Sequence, residues 1–179
     1  MMRTEYPLGV VLGLRLSTTP VVFLGSILLW VIFAGVGVGL LGLPIGMAII
    51  AALVAVALHW LSEIGHQYGH AWVAQRVGYP MLGIRLGTLW VLSTSIYPAN
   101  EPTLPAAIHI RRALGGPIAS LLLSLIGGVL VLALQPLGQP FVIVGLFFAL
   151  ENLLVFAIGS LIPLGFNDGS TLLYWWDKR

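Results

Sequence analysis

The chain has no cysteine, so disulfides, thiolate metal sites and cysteine nucleophiles are all excluded. Charge is almost as scarce. Only 8% of the 179 residues are charged, against about 25% in a soluble domain. Eight Lys and Arg residues are too few to build a nucleic-acid face, so no nucleic-acid partner is expected. No small-residue cleavage site follows the first apolar stretch, and no removable signal peptide is expected. What fills the space instead is apolar. The chain is 59% hydrophobic, with a mean hydropathy of +1.03. A surface so poor in charge needs lipid as its solvent.

Crossing about 30 Å of hydrocarbon takes roughly 20 apolar residues in a helix. Residues 21–43 fit, bounded by Pro20 and Pro44. A second span covers 45–77, including a polar end, and a third covers 113–134. The fourth covers 141–162, opened by Pro140 and closed by Pro163. The expectation is one α-helical membrane domain over residues 1–179 with about four transmembrane helices. All eight basic residues fall on one side of this scheme: Arg3 and Arg15, then Arg76, Arg85, Arg111 and Arg112, then Lys178 and Arg179. The other two loops have none. By the positive-inside rule both termini and the central loop face the cytoplasm, as in a multi-pass protein of a bacterial or archaeal cell membrane. His109, beside Arg111 and Arg112, reads as interfacial.

The segment from Tyr79 to Asn100 is broken by Pro80, Gly83, Arg85 and Gly87. Its Ile84, Leu86, Leu89, Trp90, Val91 and Ile96 favour strands. One or two short strands are expected there, with another from Leu8 to Leu16. Open strand edges cannot face lipid, so such a sheet lies at the interface or against protein. Trp175 and Trp176 read as an interfacial anchor.

Ionisable residues inside a span suggest function. The second helix has His59, Glu63, His66 and His70, which at about 100° per residue fall at roughly 0°, 40°, −20° and 20°, on one face. His66 and His70 at i and i+4 can point at one metal ion. The same pair could hydrogen-bond a neighbouring helix or ligate a haem or chlorophyll-type pigment. Zinc needs at least one more protein ligand. Asp168 is the best candidate, after Pro163 and beside Gly169, which permits a tight turn. Deeper in the membrane, Glu151 lies at about the depth of His59, and a Glu151–His59 pair would relieve both. A proton path is the alternative reading.

Three segments resemble the site-2 protease family of intramembrane zinc metalloproteases. His66-Gln67-Tyr68-Gly69-His70-Ala71, with Ala74 and Gly78, looks like the family's H-E-x-G-H-A…A…G helix. Gly116-Pro117-Ile118-Ala119-Ser120 resembles its G-P-x-x-N segment. Ser160 to Pro163 through Asp168-Gly169 resembles its N-x-x-P-x-x-x-x-D-G motif, with Asn152 matching an upstream asparagine. Leu12 to Leu16 resembles the strand before the first span. The resemblance implies a site-2-protease-like core with short interfacial strands and a zinc ion on His66, His70 and Asp168. Asn152, Ser160, Pro163, Gly116, Pro117 and Ser120 would position substrate or loop.

The departures change the functional expectation. Gln67 stands where the family has a glutamate that takes a proton from the attacking water and passes it to the leaving amine. Glutamine cannot accept and return that proton, although metal binding should survive. Ser120 and Ser160 replace asparagines. Glu63 could act as an alternative base, but helical Cα–Cβ bonds tilt toward the N-terminus and aim it away from the histidines. A bond to His59 or His66 that fixes a tautomer is favoured. The expected protein is a zinc-binding, proteolytically impaired membrane protein that holds a transmembrane partner or serves as a subunit of a larger complex. An active protease cutting transmembrane substrates near the cytoplasmic face, or a haem- or pigment-binding subunit, are the alternatives.

Overall fold

The computed structural model describes residues 5–179; Arg3, one of the eight basic residues, lies outside them. Four helices are long and apolar enough to cross a membrane: Val21–Gly39, Ile45–Arg76, Ala106–Leu137 and Gln139–Leu161. Their outward faces carry exposed Phe23, Ile27, Val31, Leu125, Val129 and Leu132, a surface stable in lipid and sticky in water. The chain is an integral membrane protein.

Helix α1 (Val21–Gly39) and helix α2 (Ile45–Arg76) pack as antiparallel neighbours through a short link. Helix α3 (Ala106–Leu134) begins at Ala106, earlier than the expected Ala113. The charge of Arg112 does not stop the helix, because its guanidinium binds both oxygens of Glu101 at 3.1 and 3.0 Å and lies over the Tyr97 ring. Helix α4 (Gln139–Glu151) continues as a π-helical turn from Asn152 to Ile158 and a 3-10 turn from Gly159 to Leu161, where a regular helix was expected. A short helix α5 (Asp168–Trp176) comes last.

The strands form one four-stranded sheet. Strand β1 (Tyr6–Val11) and strand β2 (Leu14–Thr18) are antiparallel. The stretch expected to be a single strand is thus a hairpin, because Leu12 (φ 46°) and Gly13 (φ 83°) both take the left-handed conformation that a two-residue turn requires. Strand β3 (Gly83–Leu86) joins β2 in parallel, and strand β4 (Ser93–Ile96) returns antiparallel. Ile84, Leu14, Leu86 and Met81 bury the sheet against Ala74 of α2. Leu89, Trp90 and Val91, expected in a strand, form the connecting tip, where Trp90 has φ 65°.

That tip does not stay at the rim. The Val91 carbonyl accepts a hydrogen bond from His59 Nε2 at 2.8 Å, well inside α2. A Cβ on Gly25 of α1 would collide with the Trp90 carbonyl. The β3–β4 hairpin therefore re-enters alongside membrane-spanning residues. Irregular backbone at such depth is tolerated where protein surrounds it, and here two helices do.

Helices α2 and α3 meet through small residues. Gly65 and Gly69 of α2 face Leu123, Gly115 and Ala119 of α3, and a Cβ on Gly115 would sit 2.9 Å from the Gly69 carbonyl carbon. Small residues let membrane helices approach backbone to backbone. Gly69→Ala is expected to force the two helices apart, at a cost of about 1–3 kcal/mol. A lowered midpoint of thermal unfolding in detergent would show it.

Candidate metal centre

His66 and His70 lie on consecutive turns of α2, buried against α3. The first turn of α5 supplies Asp168, with Asn167 as the N-cap accepting from the Ser170 amide at 3.3 Å. A carboxylate there also suits the positive end of the helix dipole. Gly169, expected to permit a tight turn, is instead helical. It is needed for close approach, since a Cβ would strike the Leu161 carbonyl.

The three side chains converge. The Nε2 atoms of His66 and His70 are 3.1 Å apart. Asp168 Oδ2 is 3.1 Å from His66 Nε2, and Oδ1 is 3.3 Å from His70 Nε2. Among the described residues, this is a group of ligand atoms that could hold a metal ion. Zinc binds nitrogen at about 2.0–2.1 Å, which places neighbouring tetrahedral ligands about 3.3 Å apart. The observed separations fit that spacing.

The outer partners also fit. His70 Nδ1–H donates to the Arg112 carbonyl at 2.8 Å, which leaves the Nε2 lone pair facing inward. His66 Nδ1 meets Ser120 Oγ at 3.0 Å. A ring of acceptors facing one another is repulsive unless a proton or a cation sits among them. Burial opposes the charge of Asp168, but the facing His66 and His70 rings outweigh it and hold the carboxyl below its usual range. The carboxylate is thus charged at neutral pH.

The other expected site residues are placed as follows around the cluster. Ser120 is fully buried, with its Oγ on His66 Nδ1. Gly116 lies so close to both rings that a Cβ would overlap their Nε2 atoms, and Pro117 is buried within α3. Asn152 donates to Ser62 Oγ at 2.8 Å and to the Phe148 carbonyl at 2.9 Å. Ser160 bonds its own helix at the Ala157 carbonyl. Pro163 lies in the exposed connection to α5. Glu63 bonds neither His59 nor His66. Its Oε1 accepts from the Ser93 amide at 2.5 Å and from the Ser93 hydroxyl, a partner invisible until the hairpin is placed against α2. His59 Nδ1 meets Glu151 Oε1 at 2.8 Å. His109 stacks on Trp175, with centroids 4.2 Å apart.

The cluster opens onto a cavity of about 660 Å³ whose wall includes β4, Gln67 and the turns after α4. Three carboxylates line it: Glu63, Glu101 and Asp168. Glu63 is held by Ser93, Glu101 by Arg112, and Asp168 faces the histidines. Gln67 Oε1 accepts from Ser95 Oγ at 2.7 Å.

Neither a protein-family model nor a curated protein matches the chain. Among solved structures it is similar to the site-2 protease from Methanocaldococcus jannaschii, with a TM-score of 0.60 and 20% identity, over 95% of this chain and 70% of that one. That likeness establishes a site-2-protease-like fold.

The outer partner of His66 is open to test. Ser120→Ala should leave the fold intact and weaken metal binding about 10- to 100-fold, measured by competition with a chromophoric chelator.

Proposed function

We propose that this protein binds zinc within the membrane and receives a membrane-spanning segment of a partner protein in its cavity, with little or no hydrolysis of that segment. The reading rests on one observation: the His66–His70–Asp168 cluster opens on a cavity in which every lining carboxylate already has a partner. Zinc held there would supply Lewis acidity toward a peptide carbonyl.

The chain's own residues then decide whether a bond is cut. Hydrolysis needs a group that takes a proton and returns it. Gln67, one residue along α2 from His66, is an amide bonded to Ser95 and can do neither. Glu63 would have to give up two hydrogen bonds from Ser93. The ring of His109 is clamped flat on Trp175. Among the described residues, the groups around the cavity can bind and orient a chain, but they lack a free base beside the cluster.

A protein of this kind acts by holding a transmembrane partner, as an accessory subunit of a membrane complex. The one-sided distribution of Lys and Arg supports an orientation with both termini in the cytoplasm, in a bacterial or archaeal cell membrane.

Purified protein should carry close to one zinc per chain by mass spectrometry, and Asp168→Ala should lose most of it. The unaltered chain should leave transmembrane peptides uncut, whereas Gln67→Glu should gain cleavage of about 100-fold or more over that background. Cleavage by the unaltered chain that disappears in Asp168→Ala would overturn the impaired reading and favour an active protease.

A further inference from the structure

Two residues of the α2 polar face, His66 and His70, belong to the metal cluster. His59, Glu63 and Gln67 do not, and they lie at i, i+4 and i+8. Their partners are Val91, Ser93 and Ser95, alternate residues running from the hairpin tip into β4. The spacing explains why three rungs form together. Four helical residues rise about 6 Å, and two strand residues advance about 6.6 Å, so the strand runs along the helix in step.

Each rung uses different chemistry. His59 Nε2–H donates to the Val91 carbonyl at 2.8 Å. Glu63 accepts from the amide and hydroxyl of Ser93. Gln67 accepts from the Ser95 hydroxyl at 2.7 Å. At the first rung both ring nitrogens of His59 face acceptors, because Nδ1 meets Glu151 Oε1 at 2.8 Å. A neutral imidazole carries one N–H, so the pair needs one further proton, on His59 or on Glu151. Glu151 Oε2 is buried without a hydrogen-bond partner. When that proton departs, the charged carboxylate claims the remaining N–H at Nδ1, and a bare Nε2 is left facing the Val91 carbonyl.

We propose that His59, Glu63 and Gln67 are positioning residues that register strand β4 beside the metal cluster, and that one proton shared by His59 and Glu151 keeps the first rung closed. The device stands whether or not an ion is bound, because no rung uses His66, His70 or Asp168. The charged groups facing His59 are Glu151 from α4 and Glu63 one turn along α2. The hairpin presents the Val91 carbonyl, and the π-helical turn presents the Phe156 ring.

The chain lacks cysteine, so a single Leu89→Cys substitution gives a unique attachment point for a nitroxide at the hairpin tip. Electron paramagnetic resonance of the full-length protein in lipid nanodiscs then reports tip mobility. Glu63→Ala and His59→Phe should raise the mobile population about tenfold, the scale of one lost buried hydrogen bond. Glu63→Gln, which can still accept from Ser93, should remain ordered. In the otherwise unaltered chain the mobile population should rise with pH as the shared proton is lost. Glu151→Gln should abolish that pH dependence while keeping the tip ordered, because its amide donates to Nδ1 and leaves Nε2–H on Val91. Equal mobility in Glu63→Ala and the parent would overturn the ladder. A flat pH profile in the parent, or an unchanged transition in Glu151→Gln, would overturn the shared proton. Zinc content measured on the same samples separates these outcomes from failure of the metal site.

Discussion

A backbone amide or carbonyl in hydrocarbon has no water to fall back on, and the rest of this structure depends on that constraint. Helices satisfy it internally. The β3–β4 hairpin does not, because its return strand has no sheet neighbour on its outer side. Helix α2 supplies substitutes: an imidazole for the Val91 carbonyl, a carboxylate for the Ser93 amide, and an amide for the Ser95 hydroxyl. Much of the polar stripe therefore exists to make an irregular wall tolerable in the membrane. The cavity beside the histidines is possible because that wall can be there.

The His66–His70–Asp168 cluster depends on a second contact of the same economy. Gly69 and Gly115 bring two backbones nearly into touch, and this places the Arg112 carbonyl within reach of His70 and Ser120 within reach of His66. The ring orientations are thus set by helix packing rather than by the ligands themselves. Gly116 clears the last obstruction, since any side chain there would occupy the space of the rings.

The spans, the shared face of His59, Glu63, His66 and His70, and the candidacy of Asp168 were all legible in the sequence. They rest on local periodicity or on short motifs, which a linear reading captures. The early start of α3 was missed because hydropathy counts Arg112 as a barrier, whereas Glu101 and Tyr97 neutralise it. The partner of Glu63 lies thirty residues away on a strand with no pattern to declare its depth. The π-helical turn leaves no signature in composition, and Ser120 carries no local mark of a bond to His66. The side-chain partners among these are fixed by packing and invisible to spacing.

The parallel pairing of β2 with β3 has a mechanical meaning of its own. It ties the strand just before α1 to the strand just after α2, so the first two spans are buckled together at one end of the bundle. The hairpin wall is thereby fastened along two lines, one to the helix and one to the sheet. Without the helical line, the sheet line alone would hold the hairpin to the bundle.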